Sequence, residues 1–291
     1  MNTAIAGTVD STRTTSDAIT LWLGEPVAIA APSNIELRRA SGQNVLIVGQ
    51  DANTVDSLLA CSILSAGWRP NKRASDDEFE VVMLQDGRDL ESVERFQSLQ
   101  RQTQLASFAL HQPTDCDDLI ERFYNEVVSR EEVSERAAGR EKLLIIRNLG
   151  QYRSLRKEED DFGMGSFGEA KQLTIANKFN EILKRGSLVG IHVIVWSDTF
   201  SSAVRWLSNS ILREFENRIA FRMNQTDSAS LVDSPVAASL GQGRALVYRD
   251  QLGTTEKFRP FAWPSEQWMA EMGNLVDDRT NGLDLDSLTI E

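Results

Sequence analysis

The chain is poor in the features that would place it quickly. Of its 291 residues only two are cysteines, Cys61 and Cys116, which is too few for a disulfide framework or a cysteine metal cluster. Cys61 sits in an apolar helix and Cys116 in an acidic stretch, so both read as reduced structural thiols of a cytosolic protein. No apolar run approaches the ~18 residues that a membrane-crossing helix needs, and the first residues lack a secretory core. Positive charge is short as well. A formal net charge of −12 disfavours a surface built mainly to grip nucleic acid, because such binding is dominated by neutralised phosphates. DNA contact through a few loops stays open.

What remains is ordinary soluble material, 41% apolar and 25% charged, long enough for one large α/β domain or two small ones. Residues 1–18, rich in Thr, Ser and Ala, read as a disordered leader or linker, and residues 271–291 as an acidic disordered tail carrying Asp277, Asp278, Asp284, Asp286 and Glu291. The domain between them, 19–270, is organised around Asn44 to Leu64. There Val45, Leu46, Ile47 and Val48 form an apolar run suited to a parallel strand covered on both faces. Gly49 breaks it, Asp51 and Asn53 can cap a helix, and Leu58, Leu59, Ser62 and Ile63 recur at helical spacing.

Strand, glycine turn and helix in this order are the frame of a phosphate-binding loop, or of an ordinary βα unit. A working loop, G-x-x-x-x-G-K-[ST], cradles phosphate with backbone N–H groups, reaches it with lysine and holds Mg²⁺ with the hydroxyl. Counting from Gly49 through Gln50, Asp51 and Asn53 puts Thr54 on the second glycine, Val55 on the lysine and Asp56 on the hydroxyl, followed by Ser57. Asp56 would also set a negative charge beside a polyphosphate.

Around this unit the pattern continues as α/β. A β-ribbon is expected from Ile19 with turn signals at Gly24 and Pro26, then strands at Phe79–Leu84, Leu143–Ile146, Ile191–Trp196 and Arg218–Met223, and a turn and a strand over Leu240–Arg249. Helices are expected from Leu90 to about Ala109, over Leu119–Val128, around Leu173–Leu183, over Ala203–Phe215, and over Ser228–Leu240 with a break at Pro235; a brief one follows Trp263. Arg69–Glu78 and Gln151–Glu169, the latter with Gly163, Gly165 and Gly168, read as loops. His192 reads as a satisfied core histidine. At the carboxyl end of Leu143–Ile146, where open α/β sheets collect ligands, stand Arg147 and Asn148. Arg147 is read as a surface arginine, as a mark of a nucleotide-free site, or as a cation in place of Mg²⁺.

Four of these pieces resemble, in order, the motor domain of the FtsK/SpoIIIE/HerA DNA-translocase family. They are LGEPVAI (Leu23–Ile29), Arg185 with VGIHVIVWSDTF (Val189–Phe200), NRIAFRMNQTDS (Asn217–Ser228) and LGQGRALVY (Leu240–Tyr248). The resemblance implies a three-layer RecA-like P-loop NTPase fold with a mainly parallel central sheet and an N-terminal β-ribbon. It implies losses at Thr54, Val55 and Asp56, at Arg147 and Asn148 where the family has its acidic pair, and at Asp198 where it has a sensing glutamine. Arg218 matches the family's arginine, a candidate finger toward a neighbouring subunit.

The expectation is therefore a degenerate copy, without autonomous ATPase activity, supporting an active FtsK/HerA-type ATPase domain in the same or another chain. A homo- or hetero-oligomeric ring and DNA contact through the assembly are implied, with no resident cofactor or metal and with ATP/Mg²⁺ disfavoured. The alternatives are a protein-binding module like the degenerate domains of type VII secretion ATPases, and nucleotide binding without hydrolysis.

Overall fold

A computed structural model describes residues 18–67, 79–103, 108–132, 140–157 and 173–269. The leader apart from Ala18, the loop Arg69–Glu78, the glycines Gly163, Gly165 and Gly168 and the acidic tail lie outside the described residues.

The chain opens with the antiparallel pair β1 (Ile19–Pro26) and β2 (Ser33–Leu37), then enters β3 (Val45–Val48) and α1 (Ala52–Gly67). β4 (Glu80–Leu84), α2 (Leu90–Thr103), β5 (Phe108–His111) and α3 (Cys116–Glu132) follow, then β6 (Lys142–Ile146), α4 (Ile175–Arg185) and β7 (Ile191–Ser197). Short helices α5 (Phe200–Trp206) and α6 (Asn209–Leu212) lead to β8 (Asn217–Ala220), α7 (Gln225–Val232), β9 (Ala245–Arg249) and β10 (Thr254–Pro260). The strands form one sheet in the order β2-β1-β10-β9-β8-β3-β7-β6-β4-β5. From β8 to β5 all pairings are parallel, and the ribbon side is antiparallel.

Two apolar layers cover the sheet because its central strands alternate between them. Ile47, Ile145 and Ile194 point toward α1 and α2 and pack with Val55, Leu59 and Phe96. Leu46, Leu144 and Val193 point the other way and pack with Phe123, Phe179 and Leu183 of α3 and α4. α1 is buried almost all round, since the segment after β10 lays Trp268 and Met269 into the same core. The order β3-β7-β6 places β7 between the glycine-turn strand and the strand that ends at Arg147.

Local chemistry explains where the expected elements end. The helix expected to reach Ala109 stops at Thr103, and Phe108–His111 pairs with β4 as a further strand. The helix expected over Ala203–Phe215 divides because Leu207 is extended and Ser208 caps a new start through the Ile211 amide. Asn224 caps α7 in the same way, so β8 closes at Ala220 instead of running to Met223. β10 was not anticipated. The ribbon does not stand apart: β1 pairs with β10 and extends the main sheet.

Candidate functional site

Parallel alignment brings the carboxyl ends of β3, β4, β6 and β7 to one edge. Register sets the neighbours there: Ile146 pairs with Leu84 on one side and Val195 on the other, and Val48 pairs with Ser197. Arg147, one residue past β6, therefore lies between Gln85 and Trp196.

Only Gly49, Gln50 and Asp51 separate β3 from α1, because the helix begins at Ala52. Asn53 and Thr54, counted as loop positions, are already helical. Gly49 is closed in: its amide donates to Ser197 O, and its carbonyl accepts from Trp196 Nε1 at 2.9 Å. A Cβ on Gly49 would come within 2.6 Å of the Phe221 side chain, so this glycine serves a close approach of β8 to the turn. Asp51 caps α1, accepting from the Thr54 amide at 3.1 Å and the Thr54 hydroxyl at 2.6 Å. A carboxylate of the chain itself thus occupies the helix start that could otherwise receive an anion. Gln50 and Asn53 are exposed, Asn53 receiving a bond from Arg95; Ser57 donates back to Asn53 O.

Val55, on the lysine position, is fully buried in the core beneath α1. Asp56, on the hydroxyl position, is buried too and faces Arg147. The guanidinium meets it with two parallel bonds, Nε to Oδ1 at 2.8 Å and Nη2 to Oδ2 at 3.0 Å. Nη2 also donates to Asp89 Oδ2 at 2.7 Å, and the plane lies over the Trp196 ring, 5.1 Å from its centre. Arg147 is only 1% exposed, so the reading as a surface arginine is corrected: a cation that ends a buried strand must find carboxylates, and it has two. Burial alone would lower the Arg147 pKa, but Asp56 and then Asp89 outweigh it, and the group is held above the ordinary arginine value. Burial would raise the Asp89 carboxyl, yet the Ser92 amide and Arg147 hold it below the usual carboxylate range.

Asn148 adopts a left-handed conformation, φ 60°, and donates to Asp86 Oδ2 at 2.8 Å. Tyr152, from the same loop, donates to Gln85 O, which ties the end of β6 to the end of β4. Asp198 is exposed past β7, accepts from the neighbouring Thr199 hydroxyl, and among the described residues does not join the Arg147 cluster. Arg218, the candidate finger, is held within its own domain. It lies near the amino end of β8 and turns inward, donating to Phe215 O, Leu231 O and Asp250 Oδ2 over the Tyr248 ring.

His192 is buried, with Nδ1 2.7 Å from Gln43 O and Nε2 3.5 Å from Glu141 Oε2. The two thiols are buried; burial pushes Cys61 up to about 12 and Cys116 up to about 11, which leaves both inert at neutral pH. Among the described residues no group of three or more His, Cys, Asp or Glu is placed to hold a metal ion.

Sequence reasoning missed Asp89, Trp196 and Phe221 as parts of this site. A signal for the first existed: Asp56 stands on the buried face of an apolar helix and Arg147 ends an apolar strand, and a lone anion and a lone cation on facing layers call for each other.

No protein-family model and no curated protein sequence matches the chain. Solved structures do. The conjugation coupling protein TcpA of pCW3, in a monomer form with ATPγS, superposes with a TM-score of 0.65 at 13% identity over 91% of this chain and 71% of that one. The cytoplasmic domain of the type VII secretion ATPase EccC of Thermomonospora curvata gives 0.61 at 14% identity over 91% of this chain and 32% of that one. ATPases 2 and 3 of the same EccC, in complex with a signal sequence peptide, give 0.56 at 14% identity over 88% and 43%. The chain thus spans about a third of the EccC cytoplasmic domain and less than half of its two-ATPase portion. At these identities the likeness shows the architecture alone, the RecA-like α/β fold with a mainly parallel central sheet.

Proposed function

We propose that this domain is a catalytically degenerate member of the FtsK/SpoIIIE-like class that supports an active, ATP-driven motor domain through assembly, regulation or docking. The observation that carries this reading is the buried Asp56–Arg147 pair, joined at its outer edge by Asp89, at the carboxyl end of β3 and β6. Arg147 supplies the positive charge where a working site would bring Mg²⁺, and it is consumed by the chain's own carboxylates. The residues present do not fit a magnesium polyphosphate. Three residues between β3 and α1 leave no loop to encircle a phosphate, Asp51 fills the helix start, and Val55 is turned into the core. No step of hydrolysis is therefore assigned to this chain. The partner is an ATPase domain with an intact G-x-x-x-x-G-K-[ST] loop, in the same chain or another, in a homo- or hetero-oligomeric ring that handles DNA or protein in the cytoplasm.

Calorimetry with millimolar ATP and Mg²⁺ is expected to give no binding heat, and turnover assays no phosphate release above a no-protein blank. Tight binding or robust turnover by the chain alone would sink the reading.

A second reading, recognition of a protein segment, draws on the EccC structure with its signal sequence peptide. A cleft of about 190 Å³ on the α3–α4 face, lined by Tyr124, Leu173, Asn177, Glu181 and Lys184 among others, is sized for one or two side chains of a peptide. Retention of peptide partners but not of DNA at low salt would favour it.

A further inference from the structure

Arg147 does more than find carboxylates for a buried charge. Its guanidinium is where four segments meet: it ends β6, takes both oxygens of Asp56 from α1, donates to Asp89 at the start of α2, and lies over the Trp196 ring of β7. The contacts continue outward from this joint. The Trp196 indole holds the Gly49 carbonyl, and with it the turn that leads from β3 into α1. The Asp89 amide donates to Asp86 O, and the Asp86 carboxylate accepts from the Arg88 amide at 3.1 Å and from Asn148 at 2.8 Å, which leads back to the residue after Arg147. From β4 through β6 and β7 to β3, the carboxyl ends are thus fastened in series by the chain's own groups.

Stability alone does not account for the joint. An apolar pair of the same volume holds a layer together as well as a buried ion pair or better, because no charge has to leave water. What a fork of directed bonds adds is geometry: Nε and Nη2 fix Asp56 of α1, and the second bond of Nη2 fixes the start of α2 against it. In a working P-loop domain that task belongs to the ligand, since metal and polyphosphate bridge the turn and the neighbouring segments, and switch segments order and loosen as they come and go. The residues here do not fit that ligand, and at the same edge stands a bridge that cannot leave. A ligand shifts a conformational equilibrium only through unequal affinity for its states, so a domain that holds its edge together by itself leaves nucleotide nothing to shift.

We infer that the Asp56–Arg147–Asp89 joint takes over the mechanical role of a metal–nucleotide complex, tying the ends of β3, β4, β6 and β7 and the starts of α1 and α2 into one cooperative unit whose conformation is independent of nucleotide. The inference rests on the degenerate site proposed above and adds regulation to it: an adjoining ATPase domain meets the same carboxyl edge at any nucleotide level.

The test is native-state hydrogen exchange on the full chain, followed by NMR at four amides that report on the parts of the unit. They are Gly49, which donates to Ser197 O, Val55 to Asp51 O, Val93 to Asp89 O, and Arg147 to Leu84 O. Leu246 and Val247, inside the β8–β9–β10 ladder, serve as controls. Trp196→Phe keeps an aromatic ring and deletes the indole N–H; Arg147→Lys keeps the charge and deletes the fork. Neither substitution strands a buried carboxylate without a cation, so both chains are expected to fold. Each variant is expected to speed exchange at all four amides at least about fivefold and by a common factor, while the two controls change less than about twofold. Millimolar MgATP is expected to change none of the six in the parent chain.

Acceleration confined to Gly49 in Trp196→Phe, or to Val55 and Val93 in Arg147→Lys, would reveal separate local contacts and remove the joint while leaving the degenerate site in place. Unchanged exchange in both variants removes it as well. Protection of Gly49 and Val55 by MgATP in the parent chain overturns both the joint and the reading it rests on.

Discussion

Two arginines lie inside this sheet, and they are held in opposite ways. Arg147 is surrounded by carboxylates: both oxygens of Asp56, which is 2% exposed in its side chain, and one of Asp89. Arg218 is held by the carbonyls of Phe215 and Leu231, with a carboxylate only at its outer edge, Asp250, 36% exposed. The first arrangement balances buried charge against buried charge. The second spends a cation on neutral acceptors and leaves the counter-charge in reach of water. The difference follows from position, one arginine ending a strand at the edge where a motor site would lie and the other entering a strand at the far edge.

The comparison is tested most severely by removing Arg147. Arg147→Met strands Asp56 in a dry layer without a partner, which is expected to cost about 3–5 kcal/mol in urea unfolding. Replacing both groups, Arg147→Met with Asp56→Leu, removes the unpaired charge and is expected to recover most of that loss or to exceed the parent. A silent single variant, or a double variant as weak as the single, would show that the pair is not the closed unit described.

Arg218→Met should cost less. Two buried carbonyls lose a donor, worth about 1–3 kcal/mol, and no buried charge is left behind because Asp250 is partly hydrated. Asp250→Asn is accordingly expected to change the unfolding midpoint by less than Arg218→Met does. If the two arginine variants lose equal stability, charge compensation is not what distinguishes them.

The central frame was legible in the sequence because its signals are local. Four apolar residues, a glycine and a capped helix fall within Asn44–Leu64, and the runs at Leu143–Ile146 and Ile191–Trp196 need no context to read as buried strands. β5 and β10 escaped. Phe108–His111 is four residues long and follows a polar helix without a turn signal, and Thr254–Pro260 is exposed along half its length. Arg147 was placed at the right strand end but not in its right setting, since Asp56 lies 91 residues earlier and only the sheet order makes them face each other. The inward turn of Arg218 was hidden for the same reason: the matching motif NRIAFRM specifies a strand, not which way its second residue points.

The smallest expected effect is the one that bears on Asp89, the outermost member of the Arg147 network at 38% side-chain exposure. Its carboxyl is held below the usual range in the folded chain, against a burial effect of opposite sign, by the Ser92 amide and by Arg147. A depressed folded-state pKa means the unfolded chain takes up the proton first, near ~3.9. The stabilisation is therefore complete above that value and is lost as pH falls through the folded-state value. Asn at this position does not titrate, so the difference in urea midpoint between the parent and Asp89→Asn should be level from neutral pH down to about 5 and shrink below about 4. Solvent screening keeps the difference small, well below that of Arg147→Met. A difference that stays level into acid would mean that Arg147 takes its charge balance from Asp56 alone, and the contrast with Arg218 would then rest on one buried carboxylate instead of two.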